Sequence, residues 1–247
     1  MKEFNFKVLP VKNNFIFIVC VFVALVLECY AYKFKKEDAA LWSSIFRIMT
    51  WVVMGIWYYQ QQKKHFTQTQ KLFLLSNLLP IFVALSSYFI VEQKAMLINI
   101  LINLVVFVLW IVVFKRMGTR ISLKESKNTF KKVLPIVFIF SFFYFFFSLY
   151  PKLSNIYSTL IFCYLVVISY AGILSGFLLR NDKTTYITLG IILWIFSNLM
   201  ESHYIFLLKS PDSYPIIRVI AVISRCFMIY GMIHYAEKSF MSLAEED

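Results

Sequence analysis

The chain reads as an all-α protein, a polytopic membrane bundle of about eight transmembrane helices, and three observations predict this. Eight long apolar runs fill about two-thirds of the 247 residues. Each holds roughly 18–26 residues, and about 20 are needed to cross the hydrocarbon core as a helix. Hydrophobic residues make up 60% of the chain and charged residues 15%, where soluble domains carry about 25% charge. A water-soluble fold of this size would expose apolar patches that aggregate.

The runs are 15–32, 39–59, 72–91, 95–114, 133–150, 154–179, 184–208 and 214–236. Basic residues precede the first, as in a signal peptide, but Cys29-Tyr30-Ala31 is a poor small-residue cleavage site, so the run is expected to be retained. The second has Trp42, Tyr58 and Tyr59 near its ends, and Tyr150 closes the fifth; amphipathic rings there favour the membrane interface. Pro80 and Pro135 are expected to kink the third and fifth runs by removing a backbone donor. The phenylalanine-rich stretch 141–150 is expected to face lipid or fill gaps between helices. In the sixth run Gly172-x-x-x-Gly176, with Ser169 and Ser175 nearby, lets another backbone approach, within the bundle or at a dimer seam. No segment between runs exceeds about 20 residues, so residues 1–247 are read as a single transmembrane domain.

A net charge of +12 raises the question of nucleic acid, but the location of the charge argues against it. Sixteen Lys and Arg fall on one side of the predicted topology and six on the other. The positive-inside rule then puts both termini in the cytoplasm and the protein in the cell (inner, cytoplasmic) membrane. The basic stretch 115–132 either sets topology or also touches anionic lipid. Residues 245–247 form an acidic, solvated end. Cys20, Cys29, Cys163 and Cys226 lack metal or disulfide spacing, and His65, His203 and His234 are scattered. The cysteines are read as small packing residues, and neither metal nor cofactor is expected.

Function is sought among polar side chains that are costly at membrane depth. These are Glu28, Arg47, Glu201, Arg218 and Arg225, accompanied by Asn99, Asn103, Asn198 and His203. At about 1.5 Å rise per residue, Glu28 and Arg218 lie roughly 6 Å from the outer ends of their runs and Glu201 about 10 Å. Arg47 lies at about 12 Å, Asn198 at about 15 Å and Arg225 at about 17 Å, near the midplane. All fall in the outer half, which predicts a polar, hydrated cavity among runs one, two, four, seven and eight. The alternative is simple pairing, Glu201 with Arg218 or Arg225 and Glu28 with Arg47. Three arginines against two glutamates also suit an anionic group such as a phosphate.

Residues 190–206, with Gly190, Ser197-Asn198, Glu201-Ser202 and Phe206, resemble the penultimate helix of the YhhN family of eight-span membrane proteins. That helix has a Gly, a Ser-Asp seven residues on, then Leu-Ala and an aromatic. Here Asn198 stands at the Asp position and Glu201-Ser202 at Leu-Ala. Arg225 and Gly231 have the spacing of the Gln and Gly in the family's closing helix, and Arg47 takes its basic position in the second span. The family's Gly-Asp of the third span has no counterpart between 72 and 91.

The resemblance implies a lysoplasmalogenase-like hydrolase that cleaves the vinyl-ether bond of a lysophospholipid, releasing a fatty aldehyde and a glycerophospho-base. Glu201 would be the catalytic acid, and Arg47, Arg218 and Arg225 would hold the phosphate. Asn103 and Asn198 would orient the substrate. The partners implied are membrane lipids and a lysophospholipid ligand. The alternative is a non-catalytic relative that binds a lipid or amphiphile, or serves as an interaction module. A transporter or receptor is a third option, and the lack of an obvious internal repeat and the few Gly/Pro breaks weaken the transporter reading. Oligomeric state is not read from the sequence.

Overall fold

In the computed structural model, residues 11–33, 39–63, 66–89, 92–119, 132–178, 182–207 and 212–244 are described, and these contain helices and no strand. The helices are α1 (Val11–Lys33), α2 (Ala39–Gln62), α3 (Gln68–Leu78), α4 (Pro80–Phe89), α5 (Glu92–Arg116), α6 (Leu134–Tyr144), α7 (Asn155–Gly176), α8 (Thr185–Phe206) and α9 (Ser213–Ala244). Seven segments are long and apolar enough to cross a membrane, with α3 and α4 together forming one of them. The eighth long helix is α2, with 24 residues; Arg47 and the glutamines at its end make it less apolar. The chain is a multi-pass helical membrane bundle.

Two breaks follow from chemistry. Pro80 cannot donate to the carbonyl a turn earlier, so α3 stops at Leu78 and α4 restarts at Pro80. Pro135 does not kink its span, contrary to expectation. It lies in the first turn of α6, where a missing N–H costs nothing. The irregularity comes later, in a π turn at Phe145–Leu149 and a 3-10 turn at Tyr150–Lys152. Phe140 and Phe143 of α6 and Phe147 of the π turn are exposed, as are Phe15, Val23 and Val26 of α1, as suits faces turned to lipid.

Interior faces explain the remaining assignments. Gly172 meets the Phe138 ring, where an added Cβ would sit 2.7 Å away, and Ile191 at 3.5 Å, so the small-residue motif makes a contact within the bundle. Tyr58 is fully buried against Phe73 rather than placed at the interface, whereas Trp42, Tyr59 and Tyr150 are exposed. Gln70 donates to Gln62, which donates to the Ile233 carbonyl, so α2, α3 and α9 are tied at one end by satisfied polar groups. Cys20 and Cys163 are exposed and do not pack in the core. Residues 120–131 of the basic stretch, His65 and the acidic end 245–247 lie outside the described residues.

α8 and α9 form the closest pair. The Ser224 hydroxyl donates to the Gly190 carbonyl at 2.6 Å, and a Cβ on Gly190 would lie 2.7 Å from the Ser224 carbonyl and 2.5 Å from Met228 Cγ. Because the obstacle includes backbone, Gly190→Ala is expected to lower stability by about 1–3 kcal/mol through overpacking. Thermal unfolding in detergent checks this, and an unchanged midpoint would refute the close approach. This pair forms one wall of the bundle. Opposite it, α5 packs on α3, α4 and α7, and a gap is left between the two groups.

Candidate functional site

Helical periodicity aims the charged residues into this gap. On α1, Val21, Leu25 and Glu28 are buried on one stripe while Phe22, Val23 and Val26 are exposed. Tyr214, Arg218 and Arg225 share a stripe of α9, Arg47 and Trp51 one of α2, and Asn198 and Glu201 one of α8.

Glu28 is fully buried and holds two cations. Arg218 grips it with two bonds, Nε to Oε1 at 2.6 Å and Nη2 to Oε2 at 3.1 Å. Arg47 Nε donates to Oε1 at 3.1 Å, and the Tyr214 hydroxyl donates to the same oxygen at 2.8 Å. Arg47 Nη2 also donates to Tyr214. The carboxylate has no exposure, but 17% of the Arg47 side chain and 11% of the Arg218 side chain remain exposed. One carboxylate therefore anchors two guanidiniums from behind while their edges face open space, with one positive charge in excess.

That space is a cavity of about 250 Å³. Its walls hold Arg47, Arg218, Glu201, Asn99, Asn103 and Asn198, with aromatic faces from Trp51, Trp194, Tyr32, Tyr204 and Tyr214. Six helices contribute, namely the five predicted runs plus Pro80 and Val83 of α4. The three tyrosines link α1, α8 and α9 at one end. Tyr32 stacks on Tyr214 with ring centroids 3.7 Å apart, and its hydroxyl lies 2.6 Å from that of Tyr204.

Glu201 is the chemically free group. Among the described residues its carboxylate accepts one long hydrogen bond, from Asn99 Nδ2 at 3.4 Å, and is in no ion pair. Asn99 is held in turn by Asn103, which donates to its Oδ1 at 2.6 Å. Asn198 donates to the Trp194 carbonyl at 2.7 Å, which leaves its amide oxygen for the cavity. The expected pairing of Glu201 with Arg218 or Arg225 is not found, because the helix rotations point Arg218 at α1 instead.

Arg225 departs from expectation. It does not line the cavity and is fully buried below it. Its guanidinium lies 4.2 Å from the Trp194 ring, 4.5 Å from Trp110 and 5.6 Å from Trp51. Asn77 accepts from Nη1 at 3.4 Å, and Nε and Nη2 have no hydrogen-bond partner among the described residues. Cation–π attraction takes the place of a carboxylate, at about 2 kcal/mol or more for a desolvated contact. Lysine cannot stack in this way, whereas methionine removes the buried charge altogether. Arg225→Lys is thus expected to be less stable than Arg225→Met by about 2 kcal/mol, and the order of their unfolding midpoints in detergent decides it.

The sequence reading did not single out Tyr214, Tyr32, Tyr204 or the tryptophan box, and it gave Glu28 one arginine instead of two. A signal for Tyr214 existed in its four-residue spacing from Arg218. Among the described residues no group of three His, Cys, Asp or Glu is placed to hold a metal. No family model, curated protein or solved structure matches the chain.

Proposed function

We propose that this chain is a YhhN-like protein of the cell membrane whose cavity takes the phosphate-bearing head group of a lysophospholipid and hydrolyses its vinyl-ether bond. The observation that carries the reading is the pairing of two anchored guanidinium edges with an ion-pair-free carboxylate across one cavity. Arg47 and Arg218 hold the phosphate. Glu201 gives its proton to the enol-ether carbon, water adds to the resulting oxocarbenium ion, and the hemiacetal collapses to an aldehyde and an alcohol. Glu28 is committed to the arginines, so Glu201 serves in turn as acid and then as the base that takes the water's proton. The cavity lies nearer the end of the bundle predicted to be extracytoplasmic.

A second reading, binding without turnover, is favoured by the same commitment of Glu28, which leaves the cavity with one available carboxylate. The two are separated by incubating the purified protein with lysophospholipids carrying a vinyl-ether, alkyl-ether or ester link. Aldehyde released from the vinyl-ether lipid alone supports hydrolysis. Saturable binding of all three without aldehyde supports the second reading, and no binding rejects both.

A further inference from the structure

The cavity does not end at Glu201. A second void of about 40 Å³ shares Asn99, Asn103, Asn198 and Glu201 with it and continues along Ile161 and Tyr164 of α7. A third, of about 20 Å³, shares Ile161, Tyr164 and Asn198 with the second and runs on between Leu165 and Ile168 of α7 and Ile195 and Leu199 of α8. We infer that this α7–α8 seam takes the single hydrocarbon chain of an amphiphile whose head group occupies the cavity, with Tyr164 donating a hydrogen bond to the oxygen that joins chain and head. The inference rests on the head-group reading above.

Four observations carry it. The walls change from polar at Glu201 and Asn198 to apolar at Leu165, Ile168 and Ile195, matching an amphiphile read from head to tail. The voids are narrow. About 10–15 Å³ suffices for one water-sized probe, so the seam admits a single file of atoms and not two chains side by side. The polar side chains of the third void, Tyr164, Asn198 and Ser202, are those it shares with the second, and the rest of its lining is hydrocarbon. The Tyr164 hydroxyl is buried at the junction, 8% exposed as a residue and beside the Trp194 N–H, and among the described residues no acceptor takes its proton, an arrangement that costs free energy unless an acceptor arrives.

The helices explain why the seam exists. α7 and α8 touch at Gly172 against Ile191 and part toward Ile161 and Ser202. From Ile161 to Ile168 the seam runs about 10 Å along α7. Glu201 lines both the cavity and the second void, which sets the head-to-chain linkage beside its carboxylate.

The test uses the full chain in nanodiscs and a series of alkyl phosphocholines from 6 to about 16 carbons, with glycerophosphocholine as the head-only probe. Binding is followed by the fluorescence of Trp51 and Trp194, which line the cavity. Affinity is expected to rise with chain length and then level off. Leu199→Phe should narrow the seam and weaken the long-chain ligands about tenfold while leaving the head-only probe unchanged; Leu199→Met should restore long-chain binding. Ile161→Phe serves the same purpose should Leu199→Phe fail to fold. Tyr164→Phe should weaken an ether-linked ligand several-fold but not an alkyl phosphonate lacking the linking oxygen. An unchanged dependence on chain length in the filled variants overturns the seam assignment. Head-only binding that is absent, or indifferent to Arg218→Gln, overturns instead the reading of the cavity on which it rests.

Discussion

Replacing Glu28 with alanine is expected to cost about 3–5 kcal/mol, because removing one partner of a buried ion cluster leaves uncompensated charge in a low-dielectric interior. Here two guanidiniums are stranded at once. Arg218 loses both of its carboxylate bonds, Arg47 loses its Nε acceptor, and Tyr214 loses the acceptor for its hydroxyl. The three helices α1, α2 and α9 lose a shared anchor. Glu28→Gln should cost less, since an amide oxygen still accepts two of these bonds but carries no charge. A double-mutant cycle with Arg218→Met isolates the pair. In the Arg218→Met background one carboxylate faces one arginine, so Glu28→Ala there should cost clearly less than in the parent. Thermal unfolding in one detergent supplies all four midpoints. Equal penalties in both backgrounds would mean that the bidentate pair contributes nothing.

The helices were legible because the hydrocarbon core imposes length and apolarity on every crossing, and eight runs met both conditions. Pro80 was read correctly because a proline within a run must break the backbone ladder. Pro135 was misread because it is the second residue of a helix that starts at Leu134, and a proline in the first turn is harmless. The polar layer was legible from depth alone, since 1.5 Å per residue places Arg47, Asn103, Asn198, Glu201 and Arg218 at similar heights, and all five line the cavity. What depth does not give is rotation. Which arginine faces which carboxylate depends on the azimuth of each helix, and this is set by contacts such as Gly190 against Ser224 that join residues distant in sequence. The same argument covers Arg225. Its height put it near the cavity, but its partners are tryptophans, residues that a hydropathy window counts without regard to their π faces. Tyr58 was placed at the interface by its position near a run's end, yet α2 continues to Gln62 and α3 covers it.

Glu201→Gln is expected to lower turnover of a vinyl-ether lysophospholipid by about 10²–10⁴-fold, the range for removing a positioned acid–base group. The physical case lies in how little holds this side chain. Its oxygen accepts one bond of 3.4 Å from Asn99, so the carboxyl can turn toward a substrate in the cavity without breaking an ion pair. Glutamine fits the same space and can still accept from Asn99, but it has no proton to give to carbon. Head-group affinity should therefore stay within a few-fold of the parent, because Arg47, Arg218 and Glu28 are untouched. The opposite pattern is expected for Arg218→Gln, in which binding weakens first. Asn99→Ala gives a graded version. It frees Glu201 from its only hydrogen-bond donor among the described residues, and it should reduce turnover far less than Glu201→Gln while leaving binding intact. If Glu201→Gln turned over as fast as the parent, proton delivery would have to come from elsewhere, and Tyr164, which also lies beside the second void, would be the next side chain to replace.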